Sequence, residues 1–149
     1  VNETLNQIMI TRGMVPESKG AVHWSISSVT RNASLSKALL ESTYKNDAIV
    51  PPSPWLDNKA PEAPKVTTAK TEKLTINWTH PDEKDVFRWV VYYKYGNSWS
   101  YTILNRNDRS YNLSNSIEVN KTTVPLKQIA VTAVDRTGNE SNRAEISIK

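Results

Sequence analysis

The sequence predicts a mainly β protein: an antiparallel sandwich from about Pro61 to Lys149, preceded by a short α/β segment. Three observations carry this. The second half breaks into short runs that alternate apolar and polar residues, with turn residues between them. Prolines cluster just ahead of that half, at Pro51, Pro52, Pro54, Pro61 and Pro64. In front of the prolines, the apolar spacing runs in the order helix, strand, helix.

The first stretch has Leu5, Ile8, Met9 and Arg12 at helical spacing, with Gly13 as a stop. After a polar loop over 15–20, the run Ala21-Val22-His23-Trp24-Ser25-Ile26 has the length and composition of a buried strand. Ser34 is the expected cap of a second helix with Leu35, Ala38, Leu39 and Ser42 on one face. A lone strand makes no sheet, and a unit this short buries too little to stand alone, so residues 1–48 read as the tail of a larger domain. Residues 49–64 read as a stiff proline-rich connector. Trp55 and Leu56 are too apolar for a free linker, so they are expected to anchor it against a neighbour. From Lys65 onward, Leu74, Ile76 and Trp78 alternate with polar residues, and Trp89, Val91 and Tyr93 oppose Val90, Tyr92 and Lys94. Gly96-Asn97 turns the chain. Trp99, Tyr101 and Ile103 alternate next, then Ile129, Val131 and Ala133. Residues Asp135 to Asn139 form a turn before a last strand through Ala144, Ile146 and Ile148. About seven strands without a helical stretch describe a sandwich.

Composition narrows the function classes. The net charge of +4 is spread out, with six Lys/Arg against five acids up to Ala60 and thirteen against ten beyond it. No basic block suited to nucleic acid exists, so no nucleic-acid partner is expected. Without cysteine there is no disulfide, no thiolate metal site and no cysteine nucleophile, and a secreted sandwich without a disulfide points to a bacterial source. No apolar run approaches the length of about eighteen residues that a membrane-spanning helix needs. The chain opens on Val1, which reads as a processed or excised piece, from which any upstream targeting signal would be lost. Asn-x-Ser/Thr triplets, as at Asn32 and Asn112, follow from abundant Asn and Thr.

Two resemblances add to this. Trp78, the Trp89-Val90-Val91-Tyr92-Tyr93 strand and the string Ala133 to Ser141 resemble a fibronectin type III domain, and the last string resembles the ending of bacterial versions attached to secreted enzymes. The position of the tyrosine corner holds Lys127, so that hydrogen bond is missing or replaced. Gly20 to Ser25, Leu35 to Tyr44, Ala48 to Pro52 and Pro54-Trp55-Leu56 resemble the end of bacterial glycosyl hydrolase-like (β/α)8-barrel proteins, similar to family ten glycoside hydrolases and often lipoproteins. This resemblance implies that residues 2–12 end the seventh barrel helix, 20–26 form the eighth strand and 34–45 the eighth helix. The rest of the barrel would be missing. It also implies an extracytoplasmic location and a glycan substrate for the parent protein.

Barrel active sites lie at the C-terminal ends of the strands, which makes His23, Trp24, Ser25 and Ser27 the residues to weigh. A ring there stacks on sugar, and a His or Ser hydrogen-bonds hydroxyls. Alternation lets only one of His23 and Trp24 face inward; the other packs. Glycoside hydrolysis needs a pair of carboxylates. None of Glu3, Glu17, Glu41, Asp47 and Asp57 falls at the strand end, so no catalytic residue is expected in this chain. In the sandwich, Tyr92, Trp99 and Tyr101 offer an outward platform for carbohydrate; the competing reading is that they cover the sheet. The Asp82-Glu83-Lys84-Asp85 loop lacks the ligand spacing of a calcium loop and reads as a solvated turn, with His80 exposed beside it. No cofactor and no metal are expected. The expected partners are the missing barrel, a glycan reached through the parent, and a second copy of the fragment.

Overall fold

The computed structural model describes residues 1–15 and 20–148. They divide into two compact units, Val1–Ala48 and Ile49–Lys149.

The first unit is helical: α1 Asn2–Met14, α2 Ile26–Thr30 and α3 Ala33–Glu41. The expected strand over 20–26 is not formed. Residues 20–25 run without regular structure, and Ile26 opens α2. A strand needs a neighbour to receive its backbone hydrogen bonds, and every described strand lies in the second unit. The helix expected over 34–45 begins one residue earlier and ends at Glu41. Its cap is Asn32 rather than Ser34: the Asn32 side chain accepts from the Leu35 backbone N–H at 3.0 Å. Leu39 of α3 and Ile8 of α1 are buried.

The second unit is the sandwich, and the described chain is mainly β. Its strands are β1 Lys65–Lys70, β2 Lys73–Thr79, β3 Arg88–Tyr95, β4 Ser98–Asn105, β5 Ser110–Ser114, β6 Ser116–Val119, β7 Thr122–Val134 and β8 Ala144–Ser147. One sheet has the order β1-β2-β5. The other runs β4-β3-β7-β6, with β8 also paired to β7. Every described strand pair is antiparallel. The alternation seen in the sequence explains the core. Leu74, Ile76 and Trp78 of β2 turn inward with Leu113 of β5, and meet Trp89, Val91, Ile129, Val131 and Ala133 from the other sheet. Trp78 and Trp89 pack across the layers with ring centroids 6.0 Å apart. Lys127 is exposed. Instead, the buried Tyr95 hydroxyl donates to the Ser114 carbonyl at 2.7 Å and ties β3 to the end of β5.

The proline-rich segment packs with the sandwich rather than standing apart as a connector. Pro61 and Pro64 are buried. Ser53 N–H donates to the Thr137 carbonyl at 2.9 Å, and the Asn139 side chain donates to the Asp57 carbonyl at 3.1 Å. His80 is buried, not exposed, with Nε2 2.8 Å from the Glu62 carbonyl and Nδ1 2.7 Å from that of Asp82. Trp55 and Leu56 anchor nothing in the unit: they are 78% and 72% exposed. Hydrogen bonds and buried proline rings hold the segment, so its large side chains are free to point outward.

Candidate functional site

The expected residues fall into two groups, one in each unit. In the first, the coil after Gly20 carries His23, Trp24 and Ser25. The half-buried His23 ring sits edge-on to Tyr44, with Nε2 2.8 Å from the phenol oxygen. Arg12, in the last turn of α1, lies over the same Tyr44 ring, 5.4 Å from its centroid, and donates to the Thr43 carbonyl at 2.7 Å. His23, Tyr44 and Arg12 thus form one polar knot that ties α1, the coil and the chain after α3. Trp24 points away from it, 95% exposed. Ser25 stands at the N-cap of α2 and its hydroxyl is 2.7 Å from that of Ser27. His23 is engaged by Tyr44 and Trp24 is exposed, and both stand in a coil rather than a strand. No single face gathers His23, Trp24 and Ser25.

The carboxylates of this half are dispersed. Glu3 accepts from Gln7 within α1, and Glu41 pairs loosely with Lys37 in α3. Asp47 follows α3, and Glu17 lies outside the described residues. Among the described residues, no group of three or more His, Asp and Glu stands close enough to hold a metal ion. In the second unit Glu83 of the acidic loop pairs with Arg109 at 2.9 Å. The cleft beside it, lined by Lys59, Glu62, His80, Asp82 and Asp85, holds a histidine with both ring nitrogens engaged by backbone.

The second group lies on the outer face of the larger sheet. Cross-strand register puts Tyr92 opposite Tyr101 and Lys94 opposite Trp99. The Tyr92 and Tyr101 rings are tilted by 49° with centroids 6.1 Å apart. Trp99 and Tyr101 are each 39% exposed. The Arg143 guanidinium lies 4.1 Å over the Tyr92 ring and 5.6 Å over that of Trp99, while the Lys94 ammonium sits 5.7 Å over Trp99. Beneath them Val90, Ala130 and Thr132 are wholly buried although they face away from the core. Glu140 closes the cluster: one carboxylate oxygen accepts from the Tyr92 hydroxyl at 2.6 Å and from the Thr132 hydroxyl at 2.7 Å. Burial, and then the neighbouring Glu140 carboxylate, push the Tyr92 phenol up to about 12. Alternation within β3 and β4 pointed to the three aromatic residues. It carried no signal for Arg143 and Glu140, which reach the face from the chain between β7 and β8.

Comparison with known proteins extends to both units. No family model matches the chain. Over 157 aligned positions it is 29% identical to a glycosyl hydrolase, YngK, of Bacillus subtilis strain 168; the match covers 99% of this chain and 30% of that protein. The chain therefore spans under a third of the length of this curated relative. Among solved structures, the chain is similar to a fibronectin type III domain of human collagen XX, at 14% identity and a TM-score of 0.45, over 68% of this chain and all of that one. It is also similar to the glycoside hydrolase domain of Endo-D from Streptococcus pneumoniae, at 22% identity and a TM-score of 0.41, over 62% of this chain and 16% of that one.

Proposed function

We propose that this chain is the non-catalytic C-terminal region of a longer, extracytoplasmic bacterial protein resembling glycoside hydrolases, whose catalytic part acts on a polysaccharide or other glycan. The observation that carries the reading is the reach of the match to the Bacillus relative. It covers both units, and it leaves most of that glycosyl hydrolase unmatched. The first unit supports it. Val22, Trp24 and Ile26 are 94%, 95% and 68% exposed, as expected of a barrel's last strand and turn when its sheet neighbours are absent. In this reading residues 20–26 become the eighth strand only when the seventh and first strands flank them. One of His23 and Trp24, together with the strand-end Ser25, then faces the parent's substrate cleft while the other packs, and the catalytic carboxylates come from elsewhere in the parent.

We assign the ring cluster of the sandwich to covering its sheet. Sugar stacking uses open ring faces, and here a guanidinium lies on Tyr92 and the neighbouring rings are tilted.

The test compares two polypeptides, the full product of the gene and residues 1–149, on a panel of polysaccharides. Release of reducing sugar by the full product alone is the expected result. Hydrolysis by residues 1–149, or a native polypeptide whose mass equals that of this chain, overturns the reading.

A further inference from the structure

The strap that docks on the sandwich carries an apolar pair that nothing in its own unit uses. The strap runs Ile49-Val50-Pro51-Pro52-Ser53-Pro54-Trp55-Leu56, eight residues without a charge. Trp55 and Leu56 sit in a turn opened by Pro54, which fixes the backbone. The Leu56 and Asp57 N–H groups both donate to the Ser53 carbonyl, at 2.9 and 3.2 Å. The turn is pinned on both sides. Before it, Ser53 N–H holds the Thr137 carbonyl. After it, Asn139 holds the Asp57 carbonyl. Further back, Val50 and Pro51 press so closely on Gly138 that a Cβ there would stand 2.5 Å from the Val50 carbonyl oxygen. The pair is therefore exposed on a backbone that is fixed in place. A Trp presented in water from a pinned turn is the arrangement of an interface anchor, because docking then costs no ordering of the backbone.

We propose that Trp55 and Leu56 are a docking knob, presented by the sandwich unit to the remainder of the longer glycosyl hydrolase-like polypeptide. The inference rests on the reading above that such a remainder exists. Two observations select that occupant. Most of the matched Bacillus protein lies outside the aligned region, so a large body of polypeptide is available to cover the knob. The strap is also uncharged and pairs its one aromatic ring with an aliphatic side chain, Leu56, which fits an apolar protein surface better than a sugar or a charged partner. The knob is the sandwich's share of a contact that fixes it against the catalytic part.

Hydroxyl-radical footprinting of Trp55 tests this in the intact gene product and in the 149-residue chain, after the mass of the native polypeptide has been measured. A native polypeptide no longer than this chain removes the reading on which the proposal rests, and the proposal with it. With a longer polypeptide, the expected result is a Trp55 oxidation rate roughly tenfold lower than in the 149-residue chain. The paired substitution W55A/L56S is expected to leave the unfolding temperature of the 149-residue chain unchanged, since both side chains are exposed, and to speed proteolysis between the two parts of the intact product severalfold. Equal oxidation in both polypeptides overturns the docking knob while leaving the proposed function standing. Protection of Trp55 in the 149-residue chain at raised concentration also overturns it, by showing that a second copy is the occupant. Protection of the intact product only on addition of glycan overturns it as well.

Discussion

A single carboxylate organises the loop that closes β7. Burial by itself would raise the Asp135 carboxyl. Four donated bonds outweigh it and hold the group below the usual carboxylate range: from the Asn139 side chain and backbone, and from the Thr137 hydroxyl and backbone. A lowered folded-state value means that the ionised form supports the fold. Its contribution is complete above the ordinary aspartate range, about pH 4, and is lost as pH falls through the folded value. Asp135→Asn should therefore cost about 1–3 kcal/mol at neutral pH. It should also flatten the acid limb of the stability profile, measured by denaturant unfolding at a series of pH values. An equal cost at pH 7 and well below pH 4 would show that the charge plays no part. Tyr92 belongs to the opposite sign class, with a raised phenol, so what it contributes is complete below about pH 10 and is lost as pH rises through the folded value, about 12.

At the scale of elements, the loop between β7 and β8 and the strap depend on each other. Gly138 adopts φ +86°, and its missing Cβ is the space that the Val50 and Pro51 carbonyl oxygens fill. Gly138→Ala should cost about 1–3 kcal/mol in backbone strain. It should also loosen the strap, visible as faster amide exchange at Ser53, whose N–H is bonded to Thr137. Unchanged exchange at Ser53 would mean that the strap is held without this close approach. Strands with one face in the core were legible in the sequence: a one-residue slip of β2 would turn Leu74, Ile76 and Trp78 outward together, whereas β6, exposed along its length, left no such pattern. The strap was not legible either. Its hold comes from backbone carbonyls and from a histidine whose type suggests exposure, and neither leaves a periodic trace.

For the whole molecule, the boundary between units sets the third prediction. Residues 49–149 should unfold as one cooperative unit. Cutting at Lys65 should destabilise the sandwich, because the cut removes the bonds at Ser53, Asp57 and Glu62 and the buried rings of Pro61 and Pro64. At about 1 kcal/mol for each lost hydrogen bond, the loss is roughly 3 kcal/mol, or a drop of about 10–20 °C in unfolding temperature for a domain of this size. Calorimetry on residues 49–149 and 65–149 decides it, and equal midpoints would make the segment a mere tether.

By itself the sequence determined the sandwich, the core residues of its central strands such as Leu74, Ile76, Trp78, Trp89 and Val91, the absence of cysteine chemistry and the likeness of its front segment to a barrel's last turn. All of these depend on local periodicity, composition or a string of residues that can be read in order. Tertiary structure alone decided that the proline-rich segment belongs to the sandwich, that His23 meets Tyr44 beneath Arg12, and that Arg143 and Glu140 complete the face begun by Tyr92, Trp99 and Tyr101. It also decided that residues 20–25 form no strand here. A strand's pattern is written in its own residues, but its existence depends on hydrogen-bonding groups that another segment must bring alongside.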